Sequence, residues 1–128
     1  VDEFYQTLPV ALKDTIHYQQ CAVSSSPNDD SPEHPFLPLE IKRRTSKDDY
    51  VFFKLDIDSP SVEDGNIYYI LNDPDNHIDE VAWEHHIRGN YLLTEWGPPE
   101  KLPDVSMRES YEMFLQMRLK GIRAHSWI

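Results

Sequence analysis

Four side chains concentrate the reactive chemistry of this sequence: Asp56 and Asp58 in KLDIDSP, and Glu84 and His86 in WEHH. Each pair is spaced i, i+2, and on a β-strand that spacing places both members on one face. Carboxylates and an imidazole in one cluster can hold Mg²⁺, Mn²⁺ or Fe²⁺, or pass a proton to and from a bound hydroxyl. Each pair also has a structural reading. Strand-end carboxylates can cap a helix N-terminus, and a Glu–His pair can brace a sheet. Two acids at the end of a buried strand are costly unless paired or used, which favours the chemical reading for Asp56 and Asp58. His85 is directed to the opposite face. His125 sits beside Trp127 with Arg123 on the same face, and a lone strand histidine is more often structural. Trp83, Trp96 and Trp127 read as core or loop anchors, with Trp96 able to stack on a ligand.

The elements that must position these groups follow from the surrounding pattern. In Asp49–Ser61, Val51, Phe53, Leu55 and Ile57 alternate with Phe52, Lys54, Asp56 and Asp58, the period of a strand with one apolar face. Ser59-Pro60 then stops the strand and suits a helix start, with Ser at the N-cap and Pro at the first helical position. That helix is expected through about Asn72, with Ser61 and Asp64 as a variant capping box, and Asn72-Asp73-Pro74 ends it. Ile78 to His86 is a second strand ending in polar groups. Ser106 with Glu109 forms a capping box before a last helix, whose inner stripe is expected to be Met107, Tyr111, Phe114 and Leu115. Gly121 stops that helix, and Ile122–Ile128 reads as a final strand. Upstream, Val1–Asp14 is helix-like but broken by Pro9, and Ile16–Ser24 reads as a strand. The Ser-, Pro- and Asp-rich stretch from Ser25 reads as a long loop over 24–48, with Lys42-Arg43-Arg44 as a solvated turn rather than a phosphate clamp. Gly89–Pro103 is a second irregular connection. Alternating strands and helices imply an α/β fold: a partial doubly wound, Rossmann-like, mainly parallel sheet with flanking helices in a single domain over 1–128.

The totals exclude several function classes. The net charge is −11, from 23 acidic and 12 Lys and Arg residues, a field that opposes nucleic-acid backbones and anionic membranes. No apolar run approaches the ~20 residues of a membrane span. Cys21 is the only cysteine, so there is no intrachain disulfide and no cysteine-based zinc site. Four glycines leave no phosphate-cradling loop, and no serine or cysteine lies in a nucleophile elbow.

Lys54-Leu55-Asp56-Ile57-Asp58, Glu84-His85-His86 and the segment from Ser110 to Trp127 together resemble the C-terminal half of FkbM-type methyltransferases. In that family a K-x-D-[IV]-E-G stretch marks the fourth strand and E-x-H the fifth. Lys54, Asp56 and Asp58 match the first, with Asp for Glu; Ser59 stands where the family has Gly; Glu84 and His86 match the second. The resemblance covers about Asp49 to the end. It implies S-adenosylmethionine as cofactor and transfer to an oxygen of a sugar or similar small polar acceptor. Asp56, Asp58, Glu84 and His86 would then be catalytic, and Lys54, Ser59, His85, Trp96 and His125 would lie on the substrate side. The chain opens at Val1 rather than Met and holds no Gly-rich first strand, so the cofactor loop is expected upstream of it. Two other readings stand beside this one. Asp56-x-Asp58 also resembles the metal-binding D-x-D of nucleotide-sugar glycosyltransferases, and an α/β domain without its cofactor half can serve as a non-catalytic binding module.

Overall fold

A computed structural model describes residues 2–88 and 104–127. Helix α1 (Asp2–Thr7) stops before Pro9, and a 3-10 turn follows at Val10–Leu12. Helix α2 (Leu37–Arg44) leads into strand β1 (Phe52–Leu55), followed by helix α3 (Pro60–Asn72), strand β2 (Glu80–Trp83), helix α4 (Met107–Leu119) and strand β3 (Arg123–Ser126). The three strands form one sheet in the order β1-β2-β3, parallel throughout. This is the α/β architecture with a parallel sheet that the alternating pattern predicts, and among the described residues no helix is long and apolar enough to cross a membrane.

The core lies on one face of that sheet. Phe53 and Leu55 of β1, Val81 and Trp83 of β2, and Ala124 of β3 point into it. Ile67 and Ile70 of α3 and Phe114 and Met117 of α4 meet them. Full burial of a side chain such as Leu55, Ile67 or Trp83 contributes about 1.5–3 kcal/mol, so this layer fixes the sheet. The other face carries Phe52, Lys54, Arg123 and His125, all substantially exposed. The register Leu55↔Trp83↔Ser126 brings the three strand ends level at one edge.

Five expectations need correction. Ile16–Ser24 is not a strand. Its polar groups are spent elsewhere: the Ser24 N–H donates to Pro35 O, the Ser24 carbonyl accepts from Asn66 Nδ2, and Gln19 Nε2 donates to Pro32 O. Nor is 24–48 loop throughout, because Leu37–Arg44 is helical. Pro38 occupies the first turn, where its missing N–H costs nothing, and Lys42, Arg43 and Arg44 close the last turn, where cations suit the helix dipole. Lys42 pairs with Asp73, Arg43 with Asp30 and Glu40, and Arg44 with Glu40, so the basic run is a paired helix end rather than a solvated turn. In α4 the inner face is Ser110, Phe114 and Met117, while Met107, Tyr111 and Leu115 are exposed. Trp127 is also not core; it is 46% exposed on the open face.

Candidate functional site at the carboxyl edge of the sheet

β1 and β2 stop together, and their following residues stay side by side. The Glu84 N–H donates to Leu55 O at 3.1 Å, so Glu84 sits one step past β2 and beside Asp56. Beyond Asp56 the backbone turns away from the sheet. Glu63, buried in the first turn of α3, accepts the Ile57 N–H at 2.9 Å, and Asp58 adopts a left-handed φ of 54°. Asp tolerates that conformation better than most residues. Asp56 and Asp58 therefore do not continue one strand face, contrary to the i, i+2 expectation. They divide between two neighbours. Asp56 accepts from Lys54 Nζ at 2.6 Å and lies against Glu84, whose carboxyl its charge raises. Asp58 faces His86, Oδ1 lying 3.9 Å from Nε2.

The result is a cluster at the edge. One ligand-capable atom from each of Asp58, Glu84 and His86 lies within 4.8 Å of the other two. The three differ in depth: His86 is 3% exposed, Glu84 is intermediate and Asp58 is exposed. The electrostatics follow from that gradient. Burial and then the adjoining Asp56 push the Glu84 carboxyl up to about 7, with Asp58 and Glu63 adding repulsion. Asp56 is held below its ordinary value by the Lys54 ammonium first and by Glu84 second. Of the two, Glu84 is therefore the member that takes up or releases a proton near neutral pH. Burial lowers the His86 imidazole, and the Asp58 and Asp56 carboxylates oppose that shift. Burial thus favours the neutral imidazole, the form that carries a ring lone pair. No protein-family model, curated protein or solved structure matches the chain.

The remaining sequence candidates are dispersed around this cluster. Lys54 lies beside the cluster, tied to Asp56 and stacked over the Trp127 ring at 4.4 Å. Ser59 is the N-cap of α3 but makes no side-chain cap; its carbonyl accepts from Val62 and Glu63. The expected Ser61–Asp64 box does not form, because α3 is capped at Ser59 and Ser61 already lies in its first turn. His85 points to the helix-covered side, stacked on Trp83 with centroids 3.8 Å apart and bonded through Nδ1 to Ser110 Oγ at 2.9 Å. Its Nε2 is 3.6 Å from Asp64 Oδ1, and burial drives its pKa down to about 4. His125 stands level with Lys54 and Ala82 in the register, below the edge, and pairs with Glu80 at 2.8 Å. Trp96 lies outside the described residues.

Glu63 is the residue the sequence reading missed. It shapes the edge by holding Ile57, and burial raises its carboxyl. Its signal was present: a glutamate in a helix first turn, four residues after the serine N-cap and one turn before the apolar pair Ile67 and Ile70 on the same inward side.

Among the described residues there is no glycine-rich turn of the kind that would hold S-adenosylmethionine. The turn from β1 to α3 contains no glycine. Gly65 lies within α3, where a Cβ would stand 2.2 Å from Ser25 O, and Gly121 follows α4 at φ +90°. Neither forms the glycine turn after a strand through which such folds admit a nucleotide cofactor. A cavity of about 430 Å³ between the Gln19 region and α2 shares no lining residue with the edge cluster.

Proposed function

We infer that this chain supplies the acceptor side of a group-transfer domain of methyltransferase type, with a hydroxyl of a sugar or similar small polar molecule bound at the Asp56–Asp58–Glu84–His86 edge. The reading is supported above all by the Asp56–Glu84 pair. The Glu84 value of about 7, raised by burial and by the adjoining Asp56, suits a group that accepts a proton from a hydroxyl at neutral pH. The position agrees with the general rule that open parallel sheets bind ligands beyond the carboxyl ends of their strands. Asp58 and His86 would orient the hydroxyl, His86 from the protein side and Asp58 from solvent. Lys54, fixed by Asp56 and Trp127, would meet a second polar group of the acceptor. The proton passes from the acceptor oxygen to Glu84 as that oxygen becomes nucleophilic.

The test is methyl transfer by the full-length protein from labelled S-adenosylmethionine to a panel of sugars and polyols, comparing wild type with Glu84→Gln. Glutamine keeps the shape but cannot take a proton, so kcat should fall by about 10²–10⁴ with little change in KM. Equal turnover would remove Glu84 from the chemistry. A protein that binds a sugar acceptor and never transfers would instead support a non-catalytic binding module.

A further inference from the structure

The geometry points to a divalent transition-metal site at Asp58, Glu84 and His86, of the class that takes Mn²⁺. This goes beyond the acceptor reading and does not need it, since an ion binds without any methyl donor or acceptor.

Three donors of two kinds converge from two separate chain segments, the β1–α3 turn and the end of β2. An ion about 2.1 Å from its ligands in an octahedron holds those ligand atoms about 3.0–4.2 Å apart. His86 Nε2 and Asp58 Oδ1 already stand at 3.9 Å, and the whole set lies within 4.8 Å. A movement of about 1 Å by the exposed Asp58 side chain would close the remainder. The imidazole distinguishes the cluster from a merely acidic patch. His86 is almost fully buried, yet it turns Nε2 toward the carboxylate that faces solvent. A mixed imidazole and carboxylate set suits Mn²⁺, Fe²⁺ or Zn²⁺ better than Ca²⁺, which prefers all-oxygen shells. The depth gradient supplies the other half of a working site. Glu84 and His86 back the ion from the protein side, Asp58 covers it from outside, and the remaining positions stay open to water or a substrate oxygen. Lys54 is engaged by Asp56 and Trp127 on the open sheet face, and among the described residues neither Asp58 nor Glu84 forms an ion pair with a Lys or Arg.

The competing outcome is diffuse Mn²⁺ uptake by a chain of net charge −11. The experiment is titration of the full chain with Mn²⁺ alone in 0.15 M salt, following the signal of free Mn²⁺ by electron paramagnetic resonance. Asp58→Asn and Asp48→Asn are measured beside wild type. Asparagine accepts the left-handed conformation at position 58, so the fold is preserved while a charged ligand is lost. The expected result is saturable binding to wild type, weakened at least about tenfold by Asp58→Asn and unchanged by Asp48→Asn. Amide resonances of Asp58, Glu84 and His86 should broaden first at substoichiometric Mn²⁺, a readout that needs no variant. Absence of saturable binding, equal weakening by both substitutions, or broadening spread over the acidic surface would each overturn the assignment.

Discussion

Replacing His85 by phenylalanine should remove about 3 kcal/mol of pH-dependent instability while leaving the fold in place. The argument starts from depth. His85 has a side chain 4% exposed, stacked on Trp83 and hydrogen-bonded to Ser110, and burial lowers its pKa from 6.5 to about 4. Between those two values the unfolded chain binds a proton that the folded protein refuses. Stability therefore falls as pH drops from about 6.5 to about 4, and the loss is complete below the folded value. At 1.36 kcal/mol per pH unit, the gap of roughly 2.5 units corresponds to about 3 kcal/mol. Phenylalanine keeps a flat ring against Trp83. It leaves the Ser110 hydroxyl without its imidazole partner, a cost of about 1 kcal/mol that does not vary with pH. His86 is lowered as well, so some acid sensitivity persists in the variant. Urea unfolding at a series of pH values from 7.5 to 4, followed by tryptophan fluorescence, measures the difference. Stability curves of wild type and variant that run parallel over this range would refute the assignment of the slope to His85.

Other substitutions probe what holds the edge in place. Gly65→Ala should destabilise by about 1–3 kcal/mol, since the added Cβ would meet the Ser25 carbonyl at 2.2 Å; an unchanged melting temperature would show that the Ser24–Ser26 segment moves aside freely. Asn66→Ala removes the donor to Ser24 O and Val62 O in a fully buried setting and should cost about 1–3 kcal/mol in denaturant unfolding. Ser106→Ala breaks the capping box with Glu109 and should cost about 1 kcal/mol, with amide exchange in the first turn of α4 speeding up accordingly.

Much of the fold was legible because local chemistry and burial agree along the second half of the chain. The alternation through Phe52–Leu55, the Ser59-Pro60 stop, the Ser106–Glu109 box and the Gly121 stop each mark a real boundary. What misled was local bias without tertiary context. The prolines and aspartates before Leu37 hid a helix whose own signals were intact: Pro38 and Glu40 in the first turn and three cations in the last. The β-branched and aromatic residues of Ile16–Val23 satisfy strand propensity, but the sheet offers that segment no partner. In α4 the apolar count pointed to Met107 and Tyr111, whereas the crossing with β2 selects Ser110 through its bond to His85. At the site, the residue types were legible and their grouping was not. The left-handed turn at Asp58 reassigns it from Asp56 to His86 and Glu84, and nothing in an i, i+2 pattern announces such a turn.

Because β1 and β2 run parallel, they cannot meet through a tight hairpin. The whole of α3 must form and dock before Glu84 can lie beside Asp56. Closing that crossover costs chain entropy before any contact at the edge repays it, so the carboxylate cluster should be among the late features of folding. Its mutual repulsion is then borne only by the finished protein. Unfolding intermediates that keep α3 and α4 but part the two strand ends would already have shed it, which makes this edge the natural point from which the sheet opens.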